Sequence, residues 1–268
     1  MAVKQGIVYV ATGSKYIAEA VRSAASCRAR NPYPIALITD RNYDELPAGL
    51  FDEVMIVPAA YSYRDKLLMR HSPFEQTIFL DTDTYVAGSL EGLFRILDFR
   101  EFAIHQADEG YEFEMPELSS AMPEFNTGVI GFCHTPAVDA LFDEWGRSFG
   151  QHPAILTDQY HLRKTLYASG VRYATFSSAY NFIIYHTNLV MQEVRIFHGR
   201  PFETLVAVAD DVNRIRHQDG WRRAYLPVGH DFAMLYKHMS TGDLSKLLRF
   251  SIRGILANFL RPFRRKIT

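Results

Sequence analysis

Two aspartates that directly follow an apolar strand are the residues best suited to chemistry in this 268-residue chain. Residues 77–84 have the sequence TIFLDTDT, so Asp81 and Asp83 stand one residue apart. Because side chains alternate along an extended backbone, we expect both carboxylates to point the same way and Thr82 to point elsewhere. Two adjacent carboxylates repel each other unless a cation lies between them. The spacing therefore predicts a divalent-metal site, whose hard oxygen ligands suit Mg²⁺ or Mn²⁺ beside substrate phosphates.

The elements that must position this pair alternate between strands and helices. Short β-rich runs predict strands at 7–11, 35–39, 54–57, 77–80, 102–105, 129–132, 171–176 and 194–197. Apolar residues near helical spacing predict helices at 15–30, 65–71, 91–97, 138–149 and 158–169. This alternation predicts an α/β fold with a mainly parallel sheet, whose strands bind ligands at their carboxyl ends. The acidic segment 108–124 has no clean period, and we expect it to act as a lid.

Composition bounds the class of protein. Hydrophobic residues make up 48% of the chain, and the formal net charge of −1 gives no bias toward nucleic acid. Cys27 and Cys133 are the only cysteines, and without metal-ligand spacing they predict a reducing compartment. No apolar run reaches the roughly 18 residues that span a bilayer, and the first residues lack the pattern of a signal peptide. We therefore expect a cytoplasmic protein.

Six short motifs follow one another in an order that is more specific than any one of them. They are residues 8–13 (VYVATG), Lys66, residues 81–83 (DTD), 125–128 (FNTG), 158–159 (DQ) and 198–199 (HG). From about residue 7 to about residue 201, the chain resembles the metal-dependent GT-A glycosyltransferases, in particular the glycogenin-like and lipopolysaccharide-galactosyltransferase-like group, family 8. The resemblance implies a GT-A (Rossmann-like) domain, which we place at residues 1–243. It also implies a nucleotide-sugar donor, most simply a UDP-sugar, and transfer with retention.

The resemblance also implies a role for each motif. Lys66 would face the donor diphosphate and stabilise charge on the leaving group. Asp158 would bind a sugar hydroxyl and Gln159 would lie closest to the reacting face, which makes Lys66, Asp158 and Gln159 the candidate catalytic residues. The implied donor-binding residues are Thr12, Gly13, Asp40, Lys66, Asp81, Thr82, Asn126, Thr127, Gly128, Gly199 and Arg200. The structural alternatives are a plain turn at Gly13, a solvated surface lysine at Lys66 and a helix N-cap at Asp158, where Thr157 could serve instead.

The sequence leaves two alternatives for the third metal ligand. His198 follows the predicted strand 194–197, so its imidazole could join Asp81 and Asp83, which would favour Mn²⁺ over Mg²⁺. The family often has a lysine after the histidine and glycine, whereas residues 198–201 here are HGRP, so Arg200 could replace that lysine as a phosphate clamp. Alternatively, His198 is displaced or is an ordinary hydrogen-bonded histidine, and the cation has two aspartates and water.

The C-terminal residues carry a separate signal. Apolar residues recur at helical spacing over 244–268, together with seven lysines and arginines and no acidic residue after Asp243. A basic amphipathic helix of this kind binds an anionic membrane surface, here the inner face of the membrane. The alternative is a helix that packs on the core with its charges in solvent.

The leading hypothesis is a hexosyltransferase that moves a sugar from a nucleotide-diphosphate donor to a hydroxyl of a saccharide or lipid-linked acceptor. One alternative is a haloacid-dehalogenase-type phosphohydrolase, in which Asp81 is the nucleophile and Asp210 and Asp211 form a later acidic motif. That class usually places its acidic strand first in the domain, which counts against it. Another alternative is a non-catalytic protein that binds nucleotide-sugars.

Overall fold

The computed structural model describes residues 3–44, 46–107, 115–214 and 223–225. All of them belong to one unit of the fold, Met1–Leu226. The helix predicted at 244–268 lies outside the described residues, as do residues 108–114 of the expected lid. Among the described residues, none of the helices has the length and apolar character needed to cross a bilayer.

Twelve strands and five α-helices form the described part of the chain. The strands are β1 Gln5–Ala11, β2 Ile35–Thr39, β3 Glu53–Ile56, β4 Gln76–Leu80, β5 Thr84–Val86, β6 Phe102–Gln106, β7 Phe125–Cys133, β8 Tyr173–Phe176, β9 Phe182–Ile183, β10 Asn188–Val190, β11 Ile196–His198 and β12 Arg223–Tyr225. The helices are α1 Ser14–Arg28, α2 Glu91–Leu97, α3 Pro136–Gln151, α4 Asp158–Ala168 and α5 Phe202–Arg214, with 3₁₀ helices at Tyr63–His71 and Ser178–Tyr180.

Seven strands form the central sheet in the order β3-β2-β1-β4-β7-β6-β8. Strands β3, β2, β1 and β4 are parallel, whereas β7 runs antiparallel to both β4 and β6. Every residue of β2 and β4 is buried, as expected for strands that are covered on both faces. The predicted α/β fold with a mainly parallel sheet is therefore confirmed.

Alternate residues of the strands feed two separate cores. Ile7 and Tyr9 of β1 pack with α1 and α2 on one face, whereas Val8 packs with α3 and α4 on the other. This period of two follows from the pleat of the strand. Both faces of the sheet are thereby covered, and the edge at the carboxyl end of the parallel strands is left as the place for a site.

A second, small sheet brings the last motif to this edge. Its strand order is β5-β11-β9, with β11 antiparallel to β5 and parallel to β9. Helix α5 packs against it through a third core that includes Phe197 and Leu205. The strand predicted at 194–197 is observed at Ile196–His198, so His198 belongs to the strand.

The segment 125–128 was predicted to precede a strand, and this is wrong, because β7 begins at Phe125. The register between β6 and β7 shifts, so that Ile104 pairs with Ile130 and His105 pairs with Asn126. Such a bulge redirects the side chains on the longer strand. Thr127 and Gly128 lie in that bulge and Asn126 is the paired residue at its edge, which is how residues inside a strand can face the site.

Candidate active site

Asp81 and Asp83 occupy the turn between β4 and β5, and His198 faces them from β11. The imidazole Nε2 of His198 lies 3.4 Å from Oδ1 of Asp83 and 3.9 Å from Oδ2 of Asp81. One ligand atom from each of the three residues lies within 4.8 Å of the others. Two backbone hydrogen bonds fix the turn, since Asp81 N donates to Gly128 O at 2.8 Å and Gly199 N donates to Asp83 O at 2.9 Å.

Strand pairing brings His198 to the aspartates, and a glycine leaves space for its ring. His198 pairs with Thr84 in the β5–β11 ladder, so the strand that follows the aspartates brings the imidazole back to them. A Cβ atom at Gly128 would lie only 2.1 Å from Cε1 of His198. Gly128 is therefore required by the imidazole ring.

The donor atoms of this cluster fit a divalent cation. Burial raises the pKa of Asp81, and the neighbouring charge of Asp83 adds to this. Burial also acts to raise the pKa of Asp83, but the hydrogen bond from His198 and the charges of His198 and Arg200 lower it to about 2. Two carboxylates and one imidazole form a ligand set that suits Mn²⁺ better than Mg²⁺.

Lys66 projects from the 3₁₀ helix into this cluster and is not a surface lysine. Its ammonium lies 3.0 Å from Oδ2 of both Asp81 and Asp158, and it donates to Oγ1 of Thr127 at 3.0 Å. Burial lowers the pKa of Lys66, but the charges of Asp158 and Asp81 outweigh it and leave the pKa above its usual value. Lys66 is therefore a fixed positive charge beside the candidate metal ligands.

Asp158 opens helix α4 and faces the interior. Its side chain is buried and accepts a 2.5 Å hydrogen bond from Oγ1 of Thr127. Thr157 occupies the N-cap position, although its hydroxyl makes no capping hydrogen bond. Asp158 is therefore the partner of Lys66 and Thr127, and it is not the helix cap.

Arg200 bridges the aspartate turn to helix α1. Its Nη1 lies 2.8 Å from Oδ2 of Asp83, while Nε and Nη2 donate to the two carboxylate oxygens of Glu19 at 2.9 and 2.8 Å. Glu19 also accepts a 2.9 Å hydrogen bond from Thr82, so the side chain of Thr82 points to α1. A cleft of about 280 Å³ lies here, lined by Thr82, Asp83, Gly199, Arg200 and residues of α1 and α5. Gly199 has a φ of 141°, which favours glycine at this bend.

A chain of amides connects His198 to Gln159. Nδ1 of His198 lies 2.9 Å from Oδ1 of Asn181, and Nδ2 of Asn181 donates to Oδ1 of Asn126 at 2.7 Å. Nδ2 of Asn126 in turn donates to Oε1 of Gln159 at 3.0 Å. The residues from the 125–128 and 158–159 motifs are thus brought together with the metal cluster.

Thr12, Gly13 and Asp40 lie at the carboxyl ends of β1 and β2. Asp40 accepts hydrogen bonds from the backbone N of Gly13 at 3.0 Å and from the hydroxyls of Tyr43 and Tyr61 at 2.9 and 3.0 Å. Burial acts to raise the pKa of Asp40, but these bonds lower it to about 2. Thr12 donates to Asp65. Tyr61 is 68% exposed beside this group and has a φ of 52°, in the left-handed region.

The structure adds Glu19, Asn181 and Tyr61 to the residues found from the sequence. Glu19 lies 181 residues from its partner Arg200, and Asn181 lies 55 residues from Asn126. Glu19 and Asn181 reach the site only through tertiary contacts, and no local sequence pattern marks either of them. Tyr61 lies in a segment with two tyrosines and an arginine at 61–64, YSYR, whose aromatic content was the available signal.

Solved structures with similar folds are glycosyltransferases. The galactosyltransferase LgtC, in complex with donor and acceptor sugar analogues, matches 77% of this chain and 95% of its own, with 16% identity and a TM-score of 0.57. The glycosyltransferase GlyE of Streptococcus pneumoniae TIGR4 matches 94% of this chain and 64% of its own, with 14% identity and a TM-score of 0.56. Mouse xyloside xylosyltransferase 1 matches 73% and 97%, with 12% identity and a TM-score of 0.50.

No protein-family model matches the sequence, and no curated protein matches it. At these identities, the structural likeness establishes the fold. The chain has the GT-A fold of these glycosyltransferases, as the resemblance implied.

Proposed function

We propose that this chain is a metal-dependent glycosyltransferase of the hexosyltransferase type. It moves a sugar from a nucleotide-diphosphate donor, most simply a UDP-sugar, to a hydroxyl of a saccharide or lipid-linked acceptor, with retention. The observation that carries the proposal is the cluster of Asp81, Asp83 and His198, with ligand atoms within 4.8 Å, at the ligand-binding edge of a GT-A sheet. The structures of LgtC with donor and acceptor sugar analogues support the substrate class.

The charges around the cluster suit a diphosphate leaving group. A divalent cation on Asp81, Asp83 and His198 would supply Lewis-acid stabilisation of the diphosphate. Lys66 adds a buried positive charge that needs no reorganisation as negative charge develops. The guanidinium of Arg200 is partly exposed in the adjoining cleft. Glu19 and Asp83 engage three of its five N–H groups, which leaves one hydrogen on Nη1 and one on Nη2 for phosphate oxygens.

The remaining candidate residues suit the sugar and the nucleoside. Oε1 of Gln159 accepts from Asn126, so the Gln159 amide can present its Nε2 hydrogens to the sugar. Asp158, already fixed by Lys66 and Thr127, would orient a sugar hydroxyl through its other oxygen. Thr12, Gly13 and Asp40 form a polar edge for the base and ribose, with Tyr61 exposed beside them.

The phosphohydrolase alternative has no support from the fold. Asp210 and Asp211 lie in helix α5 and not at the end of a strand, where that class needs its later acidic motif. The role of the tail 244–268 at a membrane stays a prediction of the sequence.

A thermal-shift screen of nucleotide-sugars with and without Mn²⁺ tests the proposal, because a ligand that binds the folded state raises its melting temperature. We expect one donor to stabilise the protein only with Mn²⁺ and to be turned over with release of the nucleoside diphosphate. Asp83→Ala should reduce turnover by about 10³-fold, since several kcal/mol of charge stabilisation are lost. Asp143→Ala, which breaks an exposed ion pair with Arg70, is the matched control and should retain activity.

Donor binding without transfer to any acceptor, and without hydrolysis, would instead favour a non-catalytic nucleotide-sugar-binding protein. Full activity in Asp83→Ala would contradict the metal assignment.

A further inference from the structure

We propose that Asn181 is a positioning residue that fixes the tautomer of His198, so that Nδ1 carries the hydrogen and Nε2 faces the cation. The inference rests on the proposed function, because it concerns how the chain prepares one ligand of the proposed metal. Asn181 matched none of the motifs in the sequence.

Asn181 is placed as a fixed part of the fold. Its side chain is fully buried, and its backbone N donates to Ser178 O at 3.1 Å, at the end of the short 3₁₀ helix before β9. Its Oδ1 lies 2.9 Å from Nδ1 of His198, and its Nδ2 lies 2.7 Å from Oδ1 of Asn126. A buried amide with partners at both ends has one favourable orientation.

One backbone hydrogen determines that orientation. The N–H of Gly128 donates to Asn126 at 3.0 Å, and a backbone N–H can only donate, so the Asn126 atom that faces it is the oxygen. Asn181 must then turn its NH₂ group toward the same oxygen. The opposite orientation would place two carbonyl oxygens 2.7 Å apart without a hydrogen between them.

The consequence for His198 follows directly. With its NH₂ toward Asn126, Asn181 offers only its carbonyl oxygen to His198, so Nδ1 of the imidazole must carry the hydrogen. When the ring is protonated, Nε2 also carries a hydrogen and donates it to Asp83, 3.4 Å away. When the ring is neutral, Nε2 carries the lone pair that a cation needs. A hydrogen bond on the far nitrogen of a ligating histidine fixes both the tautomer and the ring plane.

The same backbone hydrogen also orients the other end of the chain. Since Oδ1 of Asn126 is occupied, its Nδ2 faces Gln159 and accounts for the 3.0 Å bond to Oε1. The amides of Asn181, Asn126 and Gln159 therefore point the same way along one path from the metal cluster.

Mn²⁺ binding, followed by electron paramagnetic resonance of the full chain, tests the inference without any transfer assay. Asn181→Leu removes both hydrogen bonds of the side chain, and we expect about 10- to 100-fold weaker Mn²⁺ binding, the usual effect of losing such a supporting contact. Pulsed measurements on the wild-type complex should show nitrogen coupling from His198, which His198→Ala removes.

A double-mutant cycle separates positioning from a general loss of structure. If Asn181 acts through His198, then Asn181→Leu weakens Mn²⁺ binding in the wild type but not in His198→Ala. Asn31→Leu is the matched control, because Asn31 is also a buried asparagine with bonds to Gly88 O and Leu90 N, and it should keep wild-type affinity. If Asn181→Leu does not fold, then Asn181→Ala enters the same cycle.

Equal losses of affinity in both backgrounds would overturn the inference, as would wild-type affinity in Asn181→Leu or a wild-type complex without nitrogen coupling. These results leave the glycosyltransferase proposal standing, because Asp81 and Asp83 could bind the cation without His198. Failure of the wild type to bind Mn²⁺ even with nucleotide-sugars would contradict both proposals.

Discussion

The sheet edge carries acidic residues in two places, and their surroundings differ. After β4, Asp81, Asp83 and Asp158 lie among charged partners, with Lys66 3.0 Å from two of them and Arg200 2.8 Å from the third. After β2, Asp40 accepts four hydrogen bonds from neutral groups, and its nearest cation, Arg41, is exposed and 3.9 Å away.

The charge balance of the first group differs accordingly. Its four carboxylates, including Glu19, face the two permanent cations Lys66 and Arg200, so two negative charges are in excess when His198 is neutral. A buried excess of this kind is unfavourable unless a cation neutralises it, and one divalent ion has the matching charge. Asp40 is satisfied by its hydrogen bonds and needs no such ion. We therefore propose metal and phosphate chemistry for the residues around Asp81 and Asp83, and recognition by hydrogen bonds for Asp40.

Substitution of Lys66 should have the largest effect on the charged residues around Asp81 and Asp83. Lys66→Met would leave the buried Asp158 and the partly buried Asp81 without their shared cation. Breaking a buried ion pair lowers the free energy of unfolding by about 3–5 kcal/mol. We also expect turnover to fall by about 10²–10³-fold, because a preorganised charge is lost. Urea denaturation and steady-state kinetics measure the two effects.

The double variant Lys66→Met with Asp158→Asn is the control for this prediction. It removes one positive and one negative charge, so most of the stability should return while turnover stays low. If stability does not return, charge imbalance is not the cause of the loss.

Arg200 is partly exposed, so its substitution tests whether a residue near Asp83 can affect activity with little effect on stability. Its side chain is 46% exposed, so Arg200→Gln should lower the free energy of unfolding by less than about 1 kcal/mol. A charged hydrogen bond to phosphate contributes about 1.5–3 kcal/mol, so we expect kcat/KM for the donor to fall by about 10- to 100-fold. Arg22→Gln is the matched control, since Arg22 lines the same cleft but pairs with Glu203. Equal decreases in kcat/KM for Arg200→Gln and Arg22→Gln would contradict a role of Arg200 in donor binding.

The sequence was sufficient for the parts of the site that follow from local patterns. Strand periodicity and the polar residues at strand ends predicted the sheet and placed Asp40, Asp81 and Asp83 at its edge. The resemblance added Lys66, which no local pattern separates from a surface lysine. Its burial depends on Asp158, 92 residues further along the chain.

Other features depend on how distant strands pair. The bulge that includes Thr127 and Gly128 arises from the register of β6 against β7, and residues 125–128 alone do not encode it. The contact between Glu19 and Arg200 joins residues 181 positions apart. The need for glycine at position 128 comes from the ring of His198, so it becomes apparent only when both segments are in place.

Asp40 provides the smallest and most specific test of the comparison. Its pKa is lowered to about 2 in the folded protein, against about 3.9 in an unfolded chain. A lowered folded-state pKa stabilises the protein fully above about pH 4, and this contribution is lost as the pH falls toward 2. Asp40→Asn should therefore lower the free energy of unfolding by about 1 kcal/mol at neutral pH, and the difference from the wild type should shrink below pH 4.

The dependence of stability on salt concentration then distinguishes Asp40 from the charged residues around Asp81 and Asp83. Between ~0.1 and ~1 M salt the Debye length falls from about 10 to about 3 Å, which screens interactions between charges far more than neutral hydrogen bonds. Because the partners of Asp40 are neutral, the effect of Asp40→Asn in urea denaturation should change little over this range. Asp44→Asn, at an exposed aspartate nearby, is the control and should not show the loss of stability. If the effect of Asp40→Asn depends strongly on salt, then the exposed Arg41 supplies the stabilisation of Asp40. Asp40 would then not differ from Asp81 and Asp83 in the kind of partner that stabilises it.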